Sequence, residues 1–175
     1  EDFVARGGNA AFFAANLCWW RIHLVEGGTA MVCHQGSKHG AFDHWWPHSG
    51  AGRREDSLGG VSYRHGGGWW DGPREISGFH VQQPEHWLFA GTGLKLGEAF
   101  GARSWPPLAG YECDGAPLDA FDPATGIATL SVWADETGTP DGYQLLAACP
   151  LDARWQELPP RERSGAGEGL HAATL

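Results

Sequence analysis

Glycine punctuates this chain so densely that the fold must be rich in turns and loops. There are 27 glycines in 175 residues, about twice ordinary usage. Glycine tolerates backbone conformations that other residues avoid, so it marks turns and places where backbones meet closely. Hydrophobic residues still make up 42% of the chain, which separates it from a disordered segment. Ten of them are tryptophans, and that much indole surface needs a core or a cleft to cover it. The length is enough for one domain with a core of its own.

Between the glycines the pattern resolves into short elements. "EDFVARGG" (1–8) reads as a helix end, with Phe3 and Val4 pointing inward and Gly7 or Gly8 as the left-handed cap. "NAAFFA" (9–14) reads as a strand buried on both faces. A helix, a glycine cap and a buried strand in succession predict an α/β layer, with a mostly parallel central sheet that includes residues 10–14. "RIHLV" (21–25) and "TAMVCHQ" (29–35) flank "EGG" as a hairpin. Residues 36–57 have no periodicity and read as a long surface insertion. "GGVSYRHGGGWWDGPRE" reads as a strand followed by a glycine turn, further strands are predicted in "LAGYECDGA", "GIATLSVWAD" and "GYQLLAACP", and "GLHAATL" looks like the approach to another. Pro84 is placed to open a short helix over Glu85 to Leu88. The whole reads as a single domain fragment, 1–175, of a larger α/β domain truncated at both ends.

The net charge of -9 argues against nucleic acid and anionic membranes as partners, since both need clusters of Lys and Arg. No stretch approaches the roughly 18 apolar residues of a membrane-spanning helix. Cys18, Cys33, Cys113 and Cys149 lie far apart without a CxxC pair, so each reads as a small buried apolar residue. The acidic balance and unpaired cysteines point toward the cytoplasm.

Several groupings bear on chemistry. His34, His39, His44 and His48 crowd one stretch with Asp43, but neither HExxH nor HxH appears, and a solvated loop is the favoured reading. His65, before three glycines, and His80 and His86, around "VQQPEHW", are placed to line a pocket. "GTGLKLG" sets its third glycine one position late for a dinucleotide site. "HGGGWW" resembles a lipase oxyanion motif only in part, with no GxSxG elbow to accompany it. Close-packed turns explain both. Cys18 follows the predicted buried strand, where a nucleophile can sit, but Trp19 and Trp20 shield it and a structural cysteine is favoured. Glu112 in "GYECDGA" stands at a predicted strand end. There it can ligate a hard metal, act as a base, or cap backbone N–H groups.

"FVARGGNAAFF", "NLCWWRI", "GVSYRHGGGWW", "HWLFAGTGL", "GYECDGA" and "GEGLHAATL" together resemble the C-terminal region of the large (beta) subunit of N,N-dimethylformamidase and its uncharacterised relatives, and the latter more closely. The resemblance implies a flavodoxin-like α/β sandwich similar to class I glutamine amidotransferases, without their Cys nucleophile and with β-hairpin and loop insertions. It implies hydrolysis of small N-substituted amides to formate and an amine, at a single iron held by two tyrosines and one glutamate. A hard ferric ion suits such oxygen donors and acidifies its bound water. It further implies a small partner subunit or a homo-oligomer.

Carried over residue by residue, the glutamate matches Glu112. One tyrosine belongs to a segment before Glu1. The other falls on Trp19, while Asn16, Trp20 and Arg21 match the surrounding motif. An indole donates an N–H but offers no ligating lone pair; the histidines of the 36–57 insertion, or His23 and His34 nearby, are the candidates for a replacement, and the spacing compels none of them. Two readings follow. One is a metal-dependent amide hydrolase with Glu112 as metal ligand and His65 and His86, or His80, as catalytic residues near the substrate. The other is a non-catalytic module that binds a small ligand in an aromatic Trp/His cleft.

Overall fold

Short apolar runs separated by glycine turns need close partners, and they find them as small antiparallel sheets. A computed structural model describes residues 1–20, 22–33, 54–68, 78–104, 108–109, 112–133, 138–151, 170 and 172–175. The elements in chain order are helix α1 (Asp2–Ala5), strands β1 (Ile22–Val25) and β2 (Ala30–Cys33), helix α2 (Asp56–Gly59), and strands β3 (Ser62–Gly68), β4 (Phe79–Val81), β5 (Ala99–Phe100), β6 (Glu112–Gly115), β7 (Leu118–Asp122), β8 (Ile127–Leu130), β9 (Ala147–Pro150) and β10 (Ala172–Thr174). One sheet has four strands in the order β10-β9-β4-β5; β1-β2, β3-β6 and β7-β8 form pairs.

Every strand pairing among the described residues is antiparallel. The flavodoxin-like α/β sandwich expected from the sequence is therefore corrected to a β-rich fold with two short helices. The physical reason lies in residues 9–14. That run forms no strand, and Phe12 and Phe13 are 45% and 97% exposed. A short apolar run fits a buried strand and an irregular cleft wall equally well on pattern alone. Phe3 and Val4 are also exposed rather than inward-facing.

Strands β9 and β10 are buried on both faces. Ala147 and Cys149 join one cluster with Phe79, Cys113, Leu151 and Ala173. Ala148 and Ala172 join another with Leu118 and Leu145. These strands consist of small residues, so layers can press closely on either side. A β-carbon at Gly115 would run into the Ala172 carbonyl, so its absence lets β6 lie against β10. On β3, a β-carbon at Gly66 would run into the Cys113 carbonyl of β6. The "HGGG" run is thus strand backbone under a neighbour, with the register shifting between Ser62 and Gly67. Gln82 ties the four-stranded sheet to β7-β8. Its Nε2 donates to the His80 and Gly126 carbonyls, and its Oε1 accepts from Ala128 N–H.

The predicted hairpin is present as β1-β2, with Leu24 opposite Met31. Neither strand buries a residue: Leu24 and Met31 are 68% and 59% exposed. The short helix predicted at Pro84 is displaced to a 3-10 turn at Trp87–Phe89. All four cysteines are free; Cys113 and Cys149 are buried as expected, but Cys18 and Cys33 are exposed. Of residues 36–57, only 54–57 are described. They are not surface loop throughout, because Glu55 and Asp56 are buried.

Candidate functional site

A cleft of about 470 Å³ opens between the 12–17 segment and the sheets, lined by Phe12, Phe13, Phe79 and Phe100 together with Glu112 and Asp114. The sheet pairing that sets Phe79 opposite Phe100 stacks their rings at 5.9 Å. Glu112 is the first residue of β6, paired with Gly68. The sequence placed it at a carboxyl end; pairing instead starts at Glu112 and runs on to Gly115 opposite Ser62.

The other polar groups of this wall are engaged. Asp114 accepts from Asn16 N–H at 2.8 Å and Leu17 N–H at 2.9 Å. The Cys113 thiol donates to the Gly67 carbonyl at 3.1 Å. Thr174 Oγ1 accepts from Ala116 N–H and pairs with the Tyr143 hydroxyl. The half-buried Glu112 carboxylate has no hydrogen bond or ion pair among the described residues. No Lys, Arg or His lines the cleft among them either.

Asp114 also holds the turn that carries the paired tryptophans. Asn16 and Cys18 both adopt left-handed φ, 58° and 47°, a conformation that costs a non-glycine residue and persists only where surroundings impose it. Two charge-assisted bonds from one carboxylate supply that constraint. Burial pushes the Asp114 pKa up, and its two N–H bonds pull against that shift. Cys18 faces a second cleft of about 630 Å³ with Arg6, Arg54 and Glu55. Burial, then the charges of Glu55 and Asp114, push its thiol pKa up. Those terms oppose the thiolate that a nucleophile requires.

Beside this second cleft sits a buried ionic network that sequence reading missed. Arg64 Nε lies 3.1 Å from Glu55 Oε1, and its Nη2 lies 2.7 Å from Asp56 Oδ2. Ser62 Oγ donates to Glu55 and accepts from Arg64 N–H. Burial raises the Asp56 pKa to about 6, Arg64 opposing the shift and Glu55 adding to it. The available signal was Ser62 and Arg64 sharing one strand face, a short helix away from the adjacent acids Glu55 and Asp56.

The sequence-predicted histidines are dispersed. His65 is buried on β3, inside the register shift of the sheet that also carries Glu112. His80 Nδ1 bonds the Gly97 carbonyl at 3.0 Å, and its ring meets Phe121 edge-on. His86 caps the 3-10 turn, accepting from Leu88 N–H, with its ring 5.6 Å from that of Trp87. None of the three lines either cleft. His34, His39, His44, His48, Tyr111 and Arg21 lie outside the described residues.

Trp19 is 4% exposed and packs edge-on against Tyr63, 5.0 Å between centroids, and against Trp20. It is not among the residues lining the Glu112 cleft. Among the described residues no group of three or more His, Cys, Asp and Glu is placed to hold a metal. They supply Glu112 of the iron set that the resemblance implies, and an indole in place of a phenolate. The described residues by themselves do not make up an iron centre.

Fold and site define an antiparallel β-rich domain with an apolar cleft marked by a carboxylate. The chain belongs to the family described as N,N-dimethylformamidase beta subunit-like, C-terminal, whose model matches residues 1–164. The resemblance carried by the sequence motifs holds at that level. Neither curated proteins nor solved structures yield a match to the chain.

Proposed function

We propose that the chain provides the substrate cleft of an amide hydrolase acting on small N-substituted amides. The observation that carries this reading is the Glu112 carboxylate set in the wall of an apolar cleft of about 470 Å³. That volume suits a small organic ligand. Apolar walls favour N-alkyl groups, and a carboxylate there can accept a proton from water or hold an amide N–H. Neither His65 nor His86 lines this cleft, so Glu112 carries the proposed catalytic role. The test is release of amine and formate from N,N-dimethylformamide and its longer N-alkyl homologues by the full-length protein, with iron measured by elemental analysis. Glu112→Gln is expected to lower kcat/KM at least about a hundredfold with little change in melting temperature. No turnover of any such amide would overturn the reading.

A second reading is favoured by Trp19. Its indole is buried against Tyr63 where the resemblance expects a metal-binding phenol, so the module binds a small ligand without turning it over. A folded protein that is free of metal, saturable and inactive would select this reading.

Partner contacts belong to the same proposal. The matched family is named for a subunit, and the β1-β2 hairpin leaves Leu24 and Met31 uncovered. A small partner subunit or a second copy would cover them, giving a native mass above that of one chain by light scattering. Among the described residues no helix is long and apolar enough to cross a membrane.

A further inference from the structure

From the chemistry of the Glu112 cleft we infer that it selects a cationic ligand, an alkylammonium ion with small apolar substituents, over neutral or anionic ligands of the same shape. The inference rests on the reading of this cleft as a substrate site and adds the charge of what enters it. Three features converge. The walls carry the phenyl rings of Phe12, Phe79 and Phe100, with the exposed Phe13 at the mouth, and two carboxylates, and no cationic side chain among the described residues. Asp114 is spent on the Asn16 and Leu17 N–H groups, whereas the Glu112 carboxylate has no hydrogen-bond or ion-pair partner among the described residues. The phenyl rings present negative faces, which attract cations as well as apolar groups.

An anion entering here would meet two like charges in apolar surroundings. A neutral ligand would leave the Glu112 charge in a partly dry cleft without compensation. An alkylammonium ion meets both needs at once: its substituents cover the rings, and its charge lies against the carboxylate. The link to amide hydrolysis is direct. The proton that Glu112 takes from the attacking water passes to the leaving nitrogen as the C–N bond breaks, and the formic acid formed gives up a second, so the products are formate and a protonated amine whose positive charge sits on that nitrogen. A carboxylate fixed beside that nitrogen binds the departing amine more tightly than the amide it came from.

Three near-isosteric probes test this in the full-length protein: tetramethylammonium, tert-butyl alcohol and pivalate, each titrated by calorimetry. The cation is expected to bind about tenfold or more tighter than the alcohol, with pivalate weakest. Glu112→Gln should reduce the cation to the affinity of the alcohol and leave the alcohol unchanged. Phe100→Leu, which keeps an apolar wall but removes a ring face, should weaken the cation alone. Equal binding of cation and alcohol, or a preference that survives Glu112→Gln, would overturn the inference, as would no binding by any probe. Amide turnover is followed separately. Charge preference without turnover defeats the hydrolase reading and leaves the cation site standing; turnover without charge preference does the reverse.

Discussion

Asp56 shows how a single residue can couple the molecule to pH. Its carboxyl is fully buried and titrates near 6 in the fold, against about 4 for an unfolded chain. The folded state therefore holds this proton more tightly than the unfolded state does. Below about pH 4 both states are protonated and the group is neutral with respect to stability. Between about 4 and 6 the unfolded chain ionises first, so stability falls as pH rises, and above 6 the penalty is fully present. Urea midpoints measured across this window should decline for the wild type relative to Asp56→Asn, which cannot ionise. A difference that stays flat with pH would place the titration elsewhere. Asp114, raised in the same direction by burial, adds a slope that Asp56→Asn leaves intact. Neither aspartate was legible as buried. "GYECDGA" drew attention to Glu112, and "RRED" read as the end of a surface loop, because polar residues announce burial only through partners distant in the chain. Trp19 was legible as an anomaly, a bulky indole beside another, but its place against Tyr63 depends on β3, which the local pattern does not fix.

Among the elements, β3 was foreseen as a strand and its glycines as points of close packing; what was not foreseen is that they lie within the strand. Gly66 passes so near the Cys113 carbonyl that even a methyl group must displace backbone. Gly66→Ala is therefore expected to cost about 1–3 kcal/mol, in the range of overpacked cores, and to disturb the pairing that positions Glu112. The melting temperature and amide exchange of residues 112–115 would show both effects; a shift of less than about 2 °C would mean that the two strands separate easily. Strand positions were mostly readable, since β1, β2, β6, β8 and β9 fall within the predicted runs. Their direction was not. Parallel and antiparallel buried strands present similar apolar runs, and the sequence of a helix end, a glycine and an apolar stretch at 1–14 carries no information about what pairs with what. The small residues of β9 and β10, "AACP" and "AAT", mark the doubly buried strands better than "NAAFFA" does, because alanine and cysteine permit close layers where phenylalanine holds them apart.

At the scale of the whole molecule, family membership was more legible than architecture. The family match spans residues 1–164 and takes in five of the six motifs, whereas the arrangement of the sheets depends on contacts between segments that no local motif records. The central sheet makes this concrete: His80 and Val81 pair with Ala148 and Ala147, and β10 then joins β9 from the far end of the chain. Such pairing has a consequence for the speed of self-assembly. The chain must close the long loop between β4 and β9 before that pairing gains any stabilisation, and the entropic toll is met early on the folding path. Refolding of a freshly unfolded sample, caught by double-jump mixing before its prolines isomerise, is expected to fall in the range of about milliseconds to seconds. A single microsecond phase would mean that local hairpins, not the joining of β4 to β9, set the rate. While that joining is pending, the exposed strand edges and the uncovered apolar hairpin are available to other chains, so the yield of native protein should fall as refolding is carried out at higher concentration.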